Sequence, residues 1–258
     1  MLDPNFRSLI IKFLKAGVIE EGKYSKTDKG TPQGGILSPV LANIYLHYVL
    51  DLWFEKKLKK DISGYAEMVR YADDFIIGAQ TKPEAEQILI AVKERLKKFK
   101  LEVSAEKTRI IEFGRYAKEN AEHRGNTKPE TFDFLGLTHY CSESRRGKFL
   151  MKAKTSSKRM SNKLKEMNEW LRDIRNKVKA EEIWKGLSAK LRGHYNYYGV
   201  SSNSKSIQTF YYQTIKLTFK WMNRRSQKKS YCWDEFCKYL KLHPLAKPAL
   251  AYSMYDIW

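Results

Sequence analysis

Met68-Val69-Arg70-Tyr71-Ala72-Asp73-Asp74-Phe75-Ile76-Ile77 decides how this chain is read. Strand-forming residues flank an acidic pair, so 66–79 is predicted to be a tight β-hairpin with its carboxylates at the turn. Two adjacent carboxylates between apolar strands are costly unless something cationic neutralises them. Magnesium suits such a place, being a hard ion that takes one or two carboxylates and fills its shell with phosphate oxygens and water. Asp is also common in turns for its backbone hydrogen bonding, so the pair takes its meaning from its context.

On the C-terminal side, Thr81 and Glu84 form a capping-box signature with Pro83 in the first turn. The helix it opens sets Ala85, Ile88, Leu89, Val92, Leu96 and Phe99 on one face. Leu101–Val103 and Arg109–Phe113 are expected as short strands around Lys107, and 132–137 as a further strand-like run. Beyond about residue 155 the pattern turns helical, first with Met160, Leu164, Met167, Leu171, Ile174 and Val178. A second helix carries Ile183, Leu187 and Leu191, and a third runs from Ile207 to Met222. Most aromatics from Phe210 to Trp221 are expected inside this bundle. On the N-terminal side a helix is predicted over 4–16, closed by Gly17. A loop with Gly30-Thr31-Pro32-Gln33-Gly34-Gly35 follows, then a helix from Val40 to about Lys60 with Pro39 in its first turn.

The 258 residues carry 49 Lys+Arg against 29 Asp+Glu, a net charge of +20, unevenly spread. Residues 1–141 are nearly neutral at +3, residues 142–230 carry +17, and the last 28 balance. Such an asymmetry reads as a catalytic or structural body joined to a module that binds a polyanion, with nucleic acid the leading partner. With 42% hydrophobic residues the chain is expected to fold, as one large or two modest domains. No apolar run approaches the roughly 18 residues of a membrane span, and no signal segment follows Met1. Three cysteines without a CxxC pair point to neither a disulfide framework nor zinc, so an intracellular, cytoplasmic protein is expected, with Cys232 and Cys237 as structural thiols.

Tyr71-Ala72-Asp73-Asp74 resembles the acidic hairpin of reverse transcriptases, and its surroundings are similar to the enzymes encoded within group II introns. Thr31-Pro32-Gln33-Gly34-Gly35 with Leu37-Ser38-Pro39 matches the preceding palm motif, and Glu106-Lys107-Thr108 the lysine-bearing motif that follows. Phe134-Leu135-Gly136 matches the primer-grip hairpin. Leu191-Arg192-Gly193-His194-Tyr195-Asn196-Tyr197-Tyr198-Gly199 resembles the maturase-specific segment of the thumb, also called domain X. Five motifs in order, over roughly residues 5–230, carry the likeness.

The resemblance implies an α+β fold: a reverse-transcriptase palm, its small antiparallel sheet backed by helices, in 1–150, then an all-α thumb in 151–230 and a tail in 231–258. It implies catalytic, metal-binding roles for Asp73 and Asp74, and a nucleotide and template site of Gln33, Gly34, Gly35, Tyr71, Ala72 and Lys107. It further implies a primer grip at Phe134, Leu135 and Gly136. Lys158, Arg159, Arg192, Tyr195, Tyr197, Arg224, Arg225, Lys228 and Lys229 are expected to bind RNA. The implied activity is RNA-directed DNA synthesis by two-magnesium nucleotidyl transfer, with intron RNA binding that assists splicing. Intron RNA, a DNA primer or target and deoxynucleoside triphosphates are the implied partners.

The family also pairs the hairpin aspartate with a carboxylate on an earlier palm strand. Asp3 has no strand-like run around it, and Pro4 breaks any such pattern. The chain is therefore expected to lack the fingers and that carboxylate. The alternative function is then a non-catalytic RNA-binding maturase fragment, or one part of a split enzyme completed by the missing N-terminal part.

Overall fold

The protein is described from a computed structural model, which covers residues 3–15, 17–20, 23–25, 37–225 and 231–253. It divides into two compact units, residues 1–110 and 111–258.

The first unit opens with α1 (Pro4–Leu14), whose N-cap is Asp3: the carboxylate accepts from the Asn5 amide at 2.8 Å. Strands β1 (Val18–Glu20) and β2 (Lys23–Ser25) pair antiparallel. The helix expected from Val40 begins two residues early, as α2 (Ser38–Leu46) with Pro39 in its first turn. It continues through two wider π-type turns, His47–Asp51 and Phe54–Leu58, into α3 (Lys59–Asp61). The hairpin forms as predicted, with β3 (Ala66–Tyr71) against β4 (Asp74–Ala79) and Tyr71 opposite Asp74. The Thr81–Glu84 capping box is present at the start of α4 (Lys82–Lys98). Ile88, Val92 and Leu96 from α4 close a core with Val49, Leu50, Phe54, Leu58, Ile62 and Ala66. The hairpin thus lies with one face on this core, through Ala66, Met68, Phe75 and Ile77, and its turn lies at the outer end.

Two expectations fail nearby. Residues 101–103 and 109–113 form no strand, because neither finds a partner ladder among the described residues. A turn brings the Lys107 and Thr108 amides onto the Ser104 carbonyl at 3.2 and 2.9 Å instead.

In the second unit, α5 (Ala117–His123) precedes a three-stranded antiparallel sheet of β5 (Phe132–Phe134), β6 (Leu137–Glu143) and β7 (Phe149–Thr155). The run expected as one strand over 132–137 is therefore split. Leu135 and Gly136 stand at φ +50° and +77°, the two positive values that a two-residue type I′ hairpin turn requires. Helices α6 (Ser157–Ile174), α7 (Ala180–Tyr198) and α8 (Ser204–Met222) match the three amphipathic segments, and α9 (Trp233–Leu242) follows. Leu171, Ile183, Leu187, Leu191, Ile207, Phe210 and Phe236 share one core, to which Leu137 of the sheet adds. The sheet and α9 therefore belong to the same body as the basic helices, across the boundaries expected at 150 and 230. Asn203 ties it together: 1% exposed, it accepts from the Thr155 amide and donates to Thr155 Oγ1 and the Tyr198 carbonyl, each at 2.8 Å.

Candidate active site and nucleic-acid interface

The hairpin turn holds two residues, Ala72 and Asp73, while Asp74 is the first residue of β4. Ala72 has φ +55°. Positive φ at the first turn residue, and not at the second, is the sign pattern of the type II′ turn that suits right-twisted hairpins. Tyr71, Ala72, Asp73 and Asp74 are all exposed, and no ion pair among the described residues engages either carboxylate. No cluster of three or more His, Cys, Asp or Glu side chains that could hold a metal occurs among the described residues. Two adjacent, accessible carboxylates that join no ion pair among the described residues nevertheless fit magnesium, which keeps several waters and needs one or two protein carboxylates beside substrate phosphate. Asp73 and Asp74 would hold it, and it would supply charge neutralisation to a reacting phosphate.

Beneath the turn lies a pair that was not among the expected site residues. Arg70 lies at an inward position of β3, two residues from Met68, where an apolar side chain would be usual. Its Nε and Nη2 donate to Asp51 Oδ1 and Oδ2, each at 2.7 Å. The guanidinium holds the Asp51 carboxyl below the usual carboxylate range, against the opposing effect of burial. A charged residue in the inward register of a strand is the signal by which sequence could have found it.

In the second unit the structure brings together two motifs that are far apart in sequence. The Tyr197 hydroxyl donates to the Leu135 carbonyl at 3.0 Å. A Cβ added to Gly136 would lie 2.9 Å from Tyr198 Oη and 3.4 Å from Arg159 Cγ. The Phe134-Leu135-Gly136 turn is thus seated on the C-terminal end of α7 and the first turn of α6.

A family model described as reverse transcriptase (RNA-dependent DNA polymerase) matches residues 3–139. The chain belongs to the reverse transcriptase family. Among curated relatives, the group II intron-encoded protein LtrA of Lactococcus lactis subsp. cremoris is 31% identical over 284 residues, covering 81% of this chain and 46% of that protein. Protein YkfC of Escherichia coli (strain K12) is 30% identical over 135 residues, 42% of this chain and 35% of its own. An uncharacterized 91 kDa protein in the cob intron of Schizosaccharomyces pombe is 45% identical over 62 residues, 24% of this chain and 8% of its own. The chain spans about half the length of the first of these relatives. The resemblance to group II intron-encoded enzymes is borne out.

Other expected site residues of this reverse transcriptase family member fall in different settings. Gln33, Gly34, Gly35, Lys228 and Lys229 lie outside the described residues. Lys107 is exposed on its turn. Lys158 and Arg159 are exposed in the first turn of α6, where the Ser156 side chain caps by accepting from the Arg159 amide. Arg192, Tyr197 and Arg224 are exposed. Arg225 is half-buried and donates to the Val178 carbonyl at 3.0 Å, a structural use of its charge. Tyr195 does not fit the stacking role expected of it. It is 3% exposed, its hydroxyl donates to the Ala246 carbonyl, and burial pushes its phenol pKa up. In the helix Tyr195 falls on the same face as Leu191 and Tyr198, so the three- and four-residue spacing turns it into the core. No helix among the described residues is long and apolar enough to cross a membrane.

His194, between Arg192 and Tyr195, is buried too. Its ring stacks on Phe210 with centroids 3.8 Å apart, and Nε2 has no hydrogen-bond partner among the described residues. Burial, with Lys163 adding repulsion, lowers its pKa to about 4. An unfolded histidine titrates near 6.5, so below that pH the unfolded chain takes up a proton that the folded one refuses. Stability is expected to decline as pH falls from about 6.5 to about 4, by up to about 3 kcal/mol from this group. Denaturant midpoints across that window check it: the wild type should lose stability relative to His194→Phe as the solution is acidified.

Proposed function

We propose that this protein is a group II intron-type reverse transcriptase and maturase, copying RNA into DNA and binding intron RNA to assist splicing. The observation that carries the reading is the Tyr71-Ala72-Asp73-Asp74 hairpin, whose two exposed carboxylates, Asp73 in the turn and Asp74 beside it, join no ion pair among the described residues, in a chain whose 142–230 stretch holds +17. Residues 1–150 act as the palm, and the helices within 151–230 as the thumb. In this reading the primer 3′-hydroxyl attacks the α-phosphate of a deoxynucleoside triphosphate and pyrophosphate leaves. Asp73 and Asp74 would hold the cation, magnesium, which would neutralise charge at the reacting phosphate. Lys107 offers charge to the triphosphate, while Gln33, Gly34 and Gly35 meet the templating base and incoming nucleotide. The turn at Phe134, Leu135 and Gly136 supports the primer end. Exposed Lys158, Arg159, Arg192 and Arg224 contact RNA phosphates, and exposed Tyr197 on α7 offers a ring to bases. The setting is cytoplasmic, and a DNA primer or target and intron RNA are the partners.

The test is extension of a DNA primer on an RNA template by this chain in magnesium, with chelator as the control. Product that forms with magnesium and stops with chelator is the expected result. RNA bound without extension would favour the maturase function alone, completed by a partner polypeptide.

The RNA-binding half makes its own prediction. Phosphate contacts release counterions, so affinity for a structured RNA should fall roughly 10³-fold between 50 and 200 mM salt. Replacing Lys158 and Arg192 by glutamine should each lower the slope of log affinity against log salt by about one. Filter binding at several salt concentrations measures both, and a slope unchanged in both variants would remove these residues from the interface.

A further inference from the structure

Arg70 stands immediately before Tyr71-Ala72-Asp73-Asp74, and its side chain is 12% exposed. It reaches three acceptor groups. Nε and Nη2 grip both oxygens of Asp51, while Nη1 donates to Asn43 Oδ1 at 3.0 Å and to the Ala72 carbonyl oxygen at 2.6 Å. Asp51 ends the π-type turn after α2, Asn43 lies on α2, and Ala72 is the first residue of the hairpin turn. One planar guanidinium therefore bolts the turn to the helix, using the rigid fork that lysine lacks.

We propose that Arg70, held by Asp51 and Asn43, is a positioning residue that aims the Asp73 carboxylate at its cation. The proposal rests on the metal-binding reading of Asp73. The Ala72 carbonyl and the Asp73 amide belong to one planar peptide unit, so pinning the oxygen fixes that plane. The Asp73 Cα lies in the same plane, and the direction in which its side chain leaves the backbone follows. No ion pair among the described residues steers the Asp73 carboxylate, which leaves the backbone to set its direction. Ala72 also sits at φ +55°, where a residue with a Cβ is uncommon and persists only if its surroundings enforce it. A charge-assisted hydrogen bond to its carbonyl is such an enforcement.

Asp51 has a second task. An unpaired guanidinium this close to the turn would compete with a metal for Asp73 and Asp74. Bidentate pairing with Asp51 cancels that charge locally and leaves only the fork geometry to act on the turn.

The experiment titrates Mn²⁺, a spectroscopically visible substitute for magnesium, into the full chain and follows free Mn²⁺ by electron paramagnetic resonance. Amide hydrogen exchange at Asp73 and Asp74 is measured on the same samples. Arg70→Lys keeps the charge and loses the fork. It should weaken Mn²⁺ binding by about 10–100-fold, the range typical of groups that orient a metal ligand. It should also speed exchange at Asp73 and Asp74 while exchange at Ile88 and Val92 of α4 stays slow. Mn²⁺ affinity and exchange at the wild-type level in Arg70→Lys would overturn the proposal. If Arg70→Lys melts the whole hairpin, Asn43→Ala decides. It removes one hydrogen bond to the same guanidinium and spares the Asp51 pair, so a smaller loss in the same direction supports the proposal and no change overturns it. Mn²⁺ binding that Asp73→Ala leaves intact would instead refute the metal role of Asp73. That outcome overturns the aiming proposal with it, and unaltered amide exchange in Arg70→Lys would separately show that no clamp exists.

Discussion

Gly199→Ala is expected to destabilise the second unit by about 3 kcal/mol, the upper end of what overpacking costs. A methyl group there would press on the Tyr195 carbonyl oxygen and lie 2.8 Å from the Ala249 carbonyl oxygen and 3.0 Å from the Ala251 amide nitrogen. All three are backbone atoms, and two belong to a segment docked on Gly199. Its carbonyl accepts from the Ala251 amide at 2.6 Å and from Tyr252 at 3.1 Å. The fall in Tm should be roughly 6–12 °C at 2–4 °C per kcal/mol, with faster amide exchange at Ala251 and Tyr252. Gly193, in the same motif, makes the contrast. A Cβ there meets nothing within 4 Å, and the position is inside α7. Gly193→Ala should therefore leave stability unchanged or raise it by about 0.5–1 kcal/mol. Thermal melts of the two variants side by side check both signs.

That pair shows what a motif read from sequence contains. Leu191 to Gly199 drew attention for its charge and its aromatic rings, yet much of it is architecture. Leu191, His194, Tyr195 and Tyr198 are buried, and Gly199 admits the C-terminal segment. Arg192 and Tyr197 are the exposed members with the expected chemistry. Helical spacing would have sorted them, since 191, 194, 195 and 198 are separated by three and four.

The hairpin was the most legible element because alternation, the turn and the acidic pair agree with one another. The capping box at Thr81 was equally plain, since both of its partners are local. What stayed hidden depends on contacts distant in sequence. The Leu135–Gly136 turn lies inside an apolar run whose composition reads as one strand, and only the likeness to a primer-grip hairpin marks a turn there. Residues 101–103 have strand-like composition but no partner ladder. The role of Arg70 depends on a partner, Asp51, that lies 19 residues away on a helix.

The second large effect concerns chemistry rather than stability. Asp73→Ala should reduce RNA-templated DNA synthesis by at least about 10³-fold, corresponding to roughly 4 kcal/mol of lost charge stabilisation at the reacting phosphate. The fold should hardly notice. Asp73 is exposed in a turn and joins no ion pair among the described residues, so the change in stability should stay within about 0.5 kcal/mol. RNA affinity should survive as well, because the expected phosphate contacts lie on α6, α7 and the residues after α8. A large loss of synthesis with unaltered folding and RNA binding separates a carboxylate that holds the cation from one that merely shapes a turn.

The most direct measurement is therefore magnesium-dependent extension of a DNA primer on an RNA template, wild type against Asp73→Ala, with RNA binding measured on both preparations. Extension by the wild type, its loss in Asp73→Ala and equal RNA affinity in the two are expected. Equal extension by both proteins would contradict that expectation, because the carboxylate at the hairpin turn would then have no part in the chemistry.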